Sequence, residues 1–170
     1  MSNPMNATRP PQATSLMTVM GSMLAAIPLI TLVMWFVLAV DGIGDFPPTW
    51  APLLILAAAA GAYSLCELAG FRTAPLQPGG RPADVERLSW QRFTSSTFVR
   101  FAVCEAVFLL SLPLAFIVDS FWVILVGAVL AMPLLAWEVW PGVRNTQRFA
   151  ASLESAGHPS YLLGRPQDYL

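Results

Sequence analysis

The chain has 170 residues, 56% of them hydrophobic and only 11% charged, with a mean hydropathy of +0.61. A soluble domain carries about 25% charged residues, so a fold surrounded by water is excluded and lipid must be the solvent for much of the surface. The net charge of −1 excludes a basic nucleic-acid binder, and one His with two Cys leaves little for a zinc site.

Residues 1–13 are polar and Pro-containing, without periodicity, and read as a disordered tail. Thr14 to Val40 is the first long run without a charge, longer than the roughly 20 residues that cross a 30 Å hydrocarbon core. A signal peptide with Arg9 as its n-region is the competing reading. The run far exceeds an h-region and lacks a clear A-x-A site, so it reads as a retained membrane helix, kinked at Pro28. Ala51 to Phe71 forms the second span, interrupted only by Glu67. The intervening loop Asp41 to Trp50 holds two Asp and no Arg.

Thr73 to Arg81 is a Pro/Gly linker. Pro82 then opens a helix with Asp84 and Glu86 in its first turn. Its residues Val85, Leu88, Trp90 and Phe93 suggest a short amphipathic helix on the inner surface before the chain turns into the bilayer. The third span is Thr97 to Val118, with Glu105 inside it, and the fourth is Ser120 to Trp140, with Glu138 near its end. Asp119 or Ser120 is expected to cap the fourth helix. After Trp140, Pro141 opens a second amphipathic helix within a 141–170 tail, holding Val143, Phe149, Ala150 and Leu153, with Gly157 as its stop and His158 in a turn.

The fold class is therefore all-α: a polytopic membrane protein with four transmembrane helices and short inner-surface helices. All nine basic residues are arginine. They fall at 9, in the 72–100 segment and at 144, 148 and 165, leaving the other loops without one. The positive-inside rule then places both tails and the 72–96 loop in the cytoplasm of a bacterial plasma membrane. Trp50 and Trp122 belong to the outer aromatic belt, and Trp90, Trp137 and Trp140 to the inner one.

Three carboxylates lie within or at the edge of spans. By helix rise Glu138 is about 3 Å deep, Glu67 about 6 Å and Glu105 about 12 Å. Each has an arginine on its inner side in the same segment: Arg72, Arg100 and Arg144 for Glu67, Glu105 and Glu138. An intramembrane carboxylate is costly and usually faces protein or water. The two shallow ones can reach headgroups or an arginine, which is a structural role. Arg100 and Glu105 are five residues apart and point to different faces, so Glu105 is expected to turn inward, towards Glu67 or a polar group on span two, or outward into a partner. Glu105, Glu67 and Arg100 are thus candidate ion- or proton-binding residues.

Cys66-Glu67 and Cys104-Glu105 repeat one dipeptide on adjacent antiparallel spans. Two thiols and two carboxylates suit a soft-metal site. A cysteine in an apolar helix is more simply a small hydrophobe, and no metal is expected. Ala58 and Ala62, Ala102 and Ala106, and Gly127 and Ala131 have the small-xxx-small spacing that lets helices pack closely, within the bundle or against a partner. A partner contact through the last pair would make Gly127→Leu disturb assembly more than insertion. Pro113 and Pro133 bend spans three and four. There is no Ser/His/Asp set, phosphate-binding glycine loop, HExxH or CxxC, so neither an enzyme nor a cofactor is expected.

The absence of lysine and the abundance of Ala, Leu, Val and Pro suggest a GC-rich coding sequence. In keeping with that, the TFVRFAVCEA opening of span three, the DSFW turn, the WP stop and the SLESAGHPSYL tail resemble small four-helix membrane proteins of actinobacteria. The resemblance runs from Thr97 to Gly164. It implies the four-helix fold and carries over no activity or binding residue. Thr97 to Ile117 also resembles the carboxylate helix of the ATP-synthase proteolipid, but over that one helix only. Ala57 to Ala62 matches its glycine-rich partner helix loosely, and the spans do not repeat as a duplicated hairpin.

Two functions follow as expectations. The first is a non-enzymatic accessory subunit packed on a larger membrane complex, for example a respiratory or energy-transducing one. The second is proton or ion conduction, or small-molecule transport, through Glu105, with the protein as a homo-oligomer.

Overall fold

The structure is a computed structural model and describes residues 11–164. The expected disordered tail falls outside the described residues up to position 10, as do Arg9 and Arg165. Among the described residues there are only helices and connecting loops, and four helices are long and apolar enough to cross a membrane.

Helix α1 spans Pro11–Leu38 and runs through Pro28 without ending. It starts before Thr14, so the end of the expected disordered tail is helical instead. Leu16, Met20 and Ile27 are buried while Leu29, Leu32, Val33 and Phe36 are exposed. That stripe at helical spacing attaches α1 mainly to α4 (Phe121–Glu138), where Trp35 meets Phe121 edge-on at 5.2 Å. Helix α2 spans Trp50–Leu65 and passes into a π-helical turn over Cys66–Gly70. Such widened turns are rare and concentrate where side chains are re-aimed.

The largest departure from the sequence reading concerns α3. It runs unbroken over Pro82–Val118, 37 residues, about 55 Å at 1.5 Å per residue, well beyond a 30 Å hydrocarbon core. The separate surface helix expected before span three is the projecting first part of this helix. Nothing between Pro82 and Pro113 can break it: the interval holds no other Pro and no Gly. The projecting part is covered by α5, Val143–Leu153, through the Phe93–Phe149 ring contact at 5.5 Å, with Trp90 packed on Phe93 within α3 at 5.8 Å. Trp90 is accordingly buried, not a belt residue, whereas Trp137 and Trp140 are exposed.

Helices α3 and α4 (Phe121–Glu138) form the expected tight hairpin at the centre of the bundle, with α1 and α2 laid on it. Its turn differs from expectation. Asp119 closes α3 in the left-handed region at φ 49°, which Asp tolerates better than most residues. Ser120 takes the N-cap position of α4, yet its hydroxyl makes no capping bond. Gly127 explains the hairpin's closeness: a Cβ there would strike the Ser111 side chain.

The expectation that Gly127 and Ala131 could serve a partner is corrected. Ala131 is 0% exposed and belongs to the hydrophobic core, and Gly127 is buried as well. Ala131 therefore packs within the chain and is not a docking residue. The α3–α4 hairpin uses up the close approach that these small side chains permit, so Gly127→Leu would disturb the fold itself before it disturbed any assembly.

At the opposite end from α5, Trp122 donates from Nε1 to the Gly44 carbonyl at 3.1 Å and packs on Phe46. At the α5 end, the linker after the π-turn is tied down by the Leu76 amide, which donates to the Leu153 carbonyl at 3.0 Å. Helix α5 begins at Val143, after Pro141, and ends at Leu153, before Gly157. Val143 is exposed, while Asn145, Phe149, Ala150 and Leu153 are buried. The second amphipathic segment therefore covers protein with its apolar face.

Candidate functional site

The buried charged side chains, Arg100 and Glu138, lie at the α5 end, where the π-turn, α3, α4 and α5 converge. Arg100 of α3 is 1% exposed. Its Nη1 donates to the Glu138 carbonyl at the end of α4, and its Nη2 to Thr97 Oγ1 at 3.1 Å. A helix end leaves its last carbonyls without intrahelical partners, and a buried guanidinium from the neighbouring helix supplies one. Asn145 supplies three more contacts, its Nδ2 donating to the carbonyls of Trp137, Glu138 and Trp140 at 2.9–3.1 Å. The Arg100 guanidinium also lies 4.1 Å from the centre of the Phe71 ring. Room for its stem comes from Gly70, where a Cβ would sit 2.7 Å from Arg100 Cγ and Cδ.

Glu67, displaced onto the π-turn, faces α5. It accepts two bonds from Arg148, both 2.7 Å, one on each carboxylate oxygen, and a third from Arg144 at 3.0 Å. This fork-on-fork geometry is the strong form of the pair. The carboxylate holds the Arg148 guanidinium above its ordinary pKa, hydrogen bonding being the main cause. Arg148 also lies over Phe71, at 4.2 Å, and Arg144 over Trp137, at 4.5 Å. Glu138 is 0% exposed, and neither carboxylate oxygen finds a hydrogen-bond partner. Arg144 Nη1 lies 4.0 Å from its Oε1.

The pairings expected within segments are thus corrected in part. Glu138 keeps Arg144 as a distant partner, but Glu67 pairs with Arg144 and Arg148, and Arg72 stays exposed. Arg100 serves the end of α4 and does not meet Glu105. Five residues of separation already made that pair poor. Arg148 was missed as a partner because Glu67 lies 81 positions away.

Cys66 and Cys104 do meet, Sγ to Sγ at 3.7 Å, both buried and both free. No group of three or more metal-ligating side chains occurs among the described residues. Glu105 stands apart from the cluster. It is partly buried on α3 and makes no hydrogen bond or ion pair among the described residues.

The small residues expected at helix contacts divide between inside and outside. Gly127, Ala131 and Ala62 are buried and Ala58 is half-buried, so these four pack within the bundle. Ala102 and Ala106, beside Glu105, are exposed. The structure therefore separates Glu105 from Glu67 and Arg100. Its charged network locks four elements together, and the partly buried Glu105 carboxyl of α3 is left unpaired among the described residues. Comparison with known proteins finds no matching family model, curated sequence or solved structure.

Proposed function

We propose that this multi-pass membrane protein is a non-enzymatic accessory subunit that docks on a larger membrane complex through the outward face of α3. The observation that carries the proposal is Glu105. It sits about 12 Å inside the apolar part of α3 by helix rise, without an in-chain partner, near exposed Ala102 and Ala106. Leaving a carboxyl against lipid there costs a few kcal/mol. Small residues one turn apart let a foreign helix approach closely, and that helix can offer Glu105 a donor. A second copy of this chain fits the face less well. It would set Glu105 against Glu105, while Arg100 is committed inside. Proton or ion conduction has less support, since Glu105, Glu67 and Arg100 do not line one path within the chain.

Purification in mild detergent tests the proposal. A larger partner should copurify in fixed ratio and be lost in Ala102→Leu, with membrane insertion unchanged. A lone homo-oligomer, unaffected by that substitution, would overturn it. We further place the α5 end in the cytoplasm of a bacterial plasma membrane, because Arg72, Arg144 and Arg148 lie there and the opposite loops lack arginine. Thiol labelling from outside should reach a cysteine substituted at Gly44 and miss one at Gly80. The reverse pattern would invert the topology.

A further inference from the structure

We infer that the cavity between α3 and the segment following the π-turn is a binding site for a phosphate-bearing anion, occupied by the headgroup of an anionic phospholipid. The cavity measures about 310 Å³ and opens to the surface at the α5 end. Its polar wall is made by Arg72, Gln91, Arg92 and Ser95, its apolar wall by Leu88 and Phe149, and no carboxylate lines it. Most other arginines nearby are already engaged: Arg100, Arg144 and Arg148 within the cluster, and Arg87 with Asp84 at 3.6 Å. Arg72 is different. It is exposed, and among the described residues it has no ion pair or side-chain hydrogen bond. Arg92 spends one nitrogen on the Ala74 carbonyl, at 2.9 Å, which fixes the guanidinium at the cavity wall with its other donors free.

The geometry of α3 completes the set. Residues 88, 91, 92 and 95 are spaced three and four apart, so they share one helix face. That face presents an amide, a guanidinium and a hydroxyl beside an aromatic and a leucine. Phosphate oxygens accept from all three donor types, and paired arginines favour a dianion or phosphodiester over a neutral headgroup. Location decides between ligand sources. The cavity lies where α3 emerges from its apolar stretch and directly after the end of the second span. That is headgroup depth, and the apolar wall suits the glycerol end of a lipid. This inference does not depend on the docking role of α3, whose face at Ala102, Glu105 and Ala106 is a different one.

The test uses the full chain in nanodiscs with defined lipids. Phosphatidylglycerol should be retained over phosphatidylcholine by native mass spectrometry. Arg72→Gln, which breaks no contact within the fold, should weaken retention about fivefold, since a basic residue at the membrane surface is worth about one such factor. Gln91→Glu, which places a carboxylate in the cavity, should weaken it further. A second arm adds inorganic phosphate to detergent-solubilised protein. Phosphate binding that depends on Arg72, together with no preference between the two lipids, overturns lipid as the occupant and leaves the anion site standing. If neither probe responds to Arg72→Gln or Gln91→Glu while both variants fold as the wild type does, the site does not exist.

Discussion

Cys66-Glu67 and Cys104-Glu105 present the same two side chains on neighbouring antiparallel helices, and the fold treats them in opposite ways. The cysteines come together at 3.7 Å as small groups at a helix contact. The glutamates diverge. A π-turn swings Glu67 towards two arginines of α5, whereas regular α-helix leaves Glu105 partly buried and unpaired on α3. A carboxyl at the membrane boundary can thus be satisfied by the chain that carries it, at the cost of a local irregularity and an extra helix. One further along an apolar helix, on regular α-helical backbone, is left without a partner in the chain.

The first way to break this comparison is to remove what holds the satisfied region together. Arg100 bonds the end of α4, contacts Thr97 and covers Phe71, all in a buried site. A hydrogen bond to a charged group contributes about 1.5–3 kcal/mol, and Arg100 makes two in the interior. Arg100→Ala should therefore lower the unfolding midpoint in detergent by more than any other substitution considered for this protein. Arg100→Lys should recover only part of the loss, because an ammonium cannot reproduce the two-pronged donation. Tryptophan fluorescence during thermal unfolding reads both. A variant as stable as the wild type would mean that the end of α4 does not depend on this guanidinium.

How far the sequence could be read follows from the range of each signal. The spans were legible because about 20 consecutive apolar residues have few other uses. The contact of Cys66 with Cys104 was foreshadowed by their placement on adjacent antiparallel spans. The continuity of α3 was obscured because its composition changes near Arg92 to Arg100. That change marks where the helix leaves its apolar stretch, not where it ends. The Glu67 pairings were out of reach for another reason. They join residues 77 and 81 positions apart, and they exist only because α5 folds back on the π-turn and α3. Local spacing suggested Arg72, and tertiary structure chose Arg144 and Arg148. Gly127 and Ala131 were legible as packing residues, but spacing alone could not tell a contact inside the chain from one outside it. Their burial decides for the inside.

The sharpest use of the comparison is to make one substitution at both glutamates. Glu67→Gln keeps the shape and removes the charge from a carboxylate that receives three guanidinium bonds. Charged hydrogen bonds contribute about 1.5–3 kcal/mol each when buried. Here both arginines are about a third exposed and the solvent screens them, so the expected loss is about 1–2 kcal/mol in total. Glu105→Gln removes the same charge from a group with no partner in the chain. The isolated protein should then unfold within about 0.5 kcal/mol of the wild type, as substitutions outside any network do. Glu105→Leu should leave the isolated protein at least as stable as the wild type, since it deletes no bond and removes an unpartnered carboxyl from where lipid is the neighbour. The difference should emerge only when the partner is present: Gln can still hydrogen-bond to a foreign donor and Leu cannot, so copurification should survive the first better than the second. Marked destabilisation of the isolated protein by Glu105→Leu would show that the carboxyl is satisfied within the chain after all. The contrast between the two dipeptides, and the docking face built on it, would then fall together.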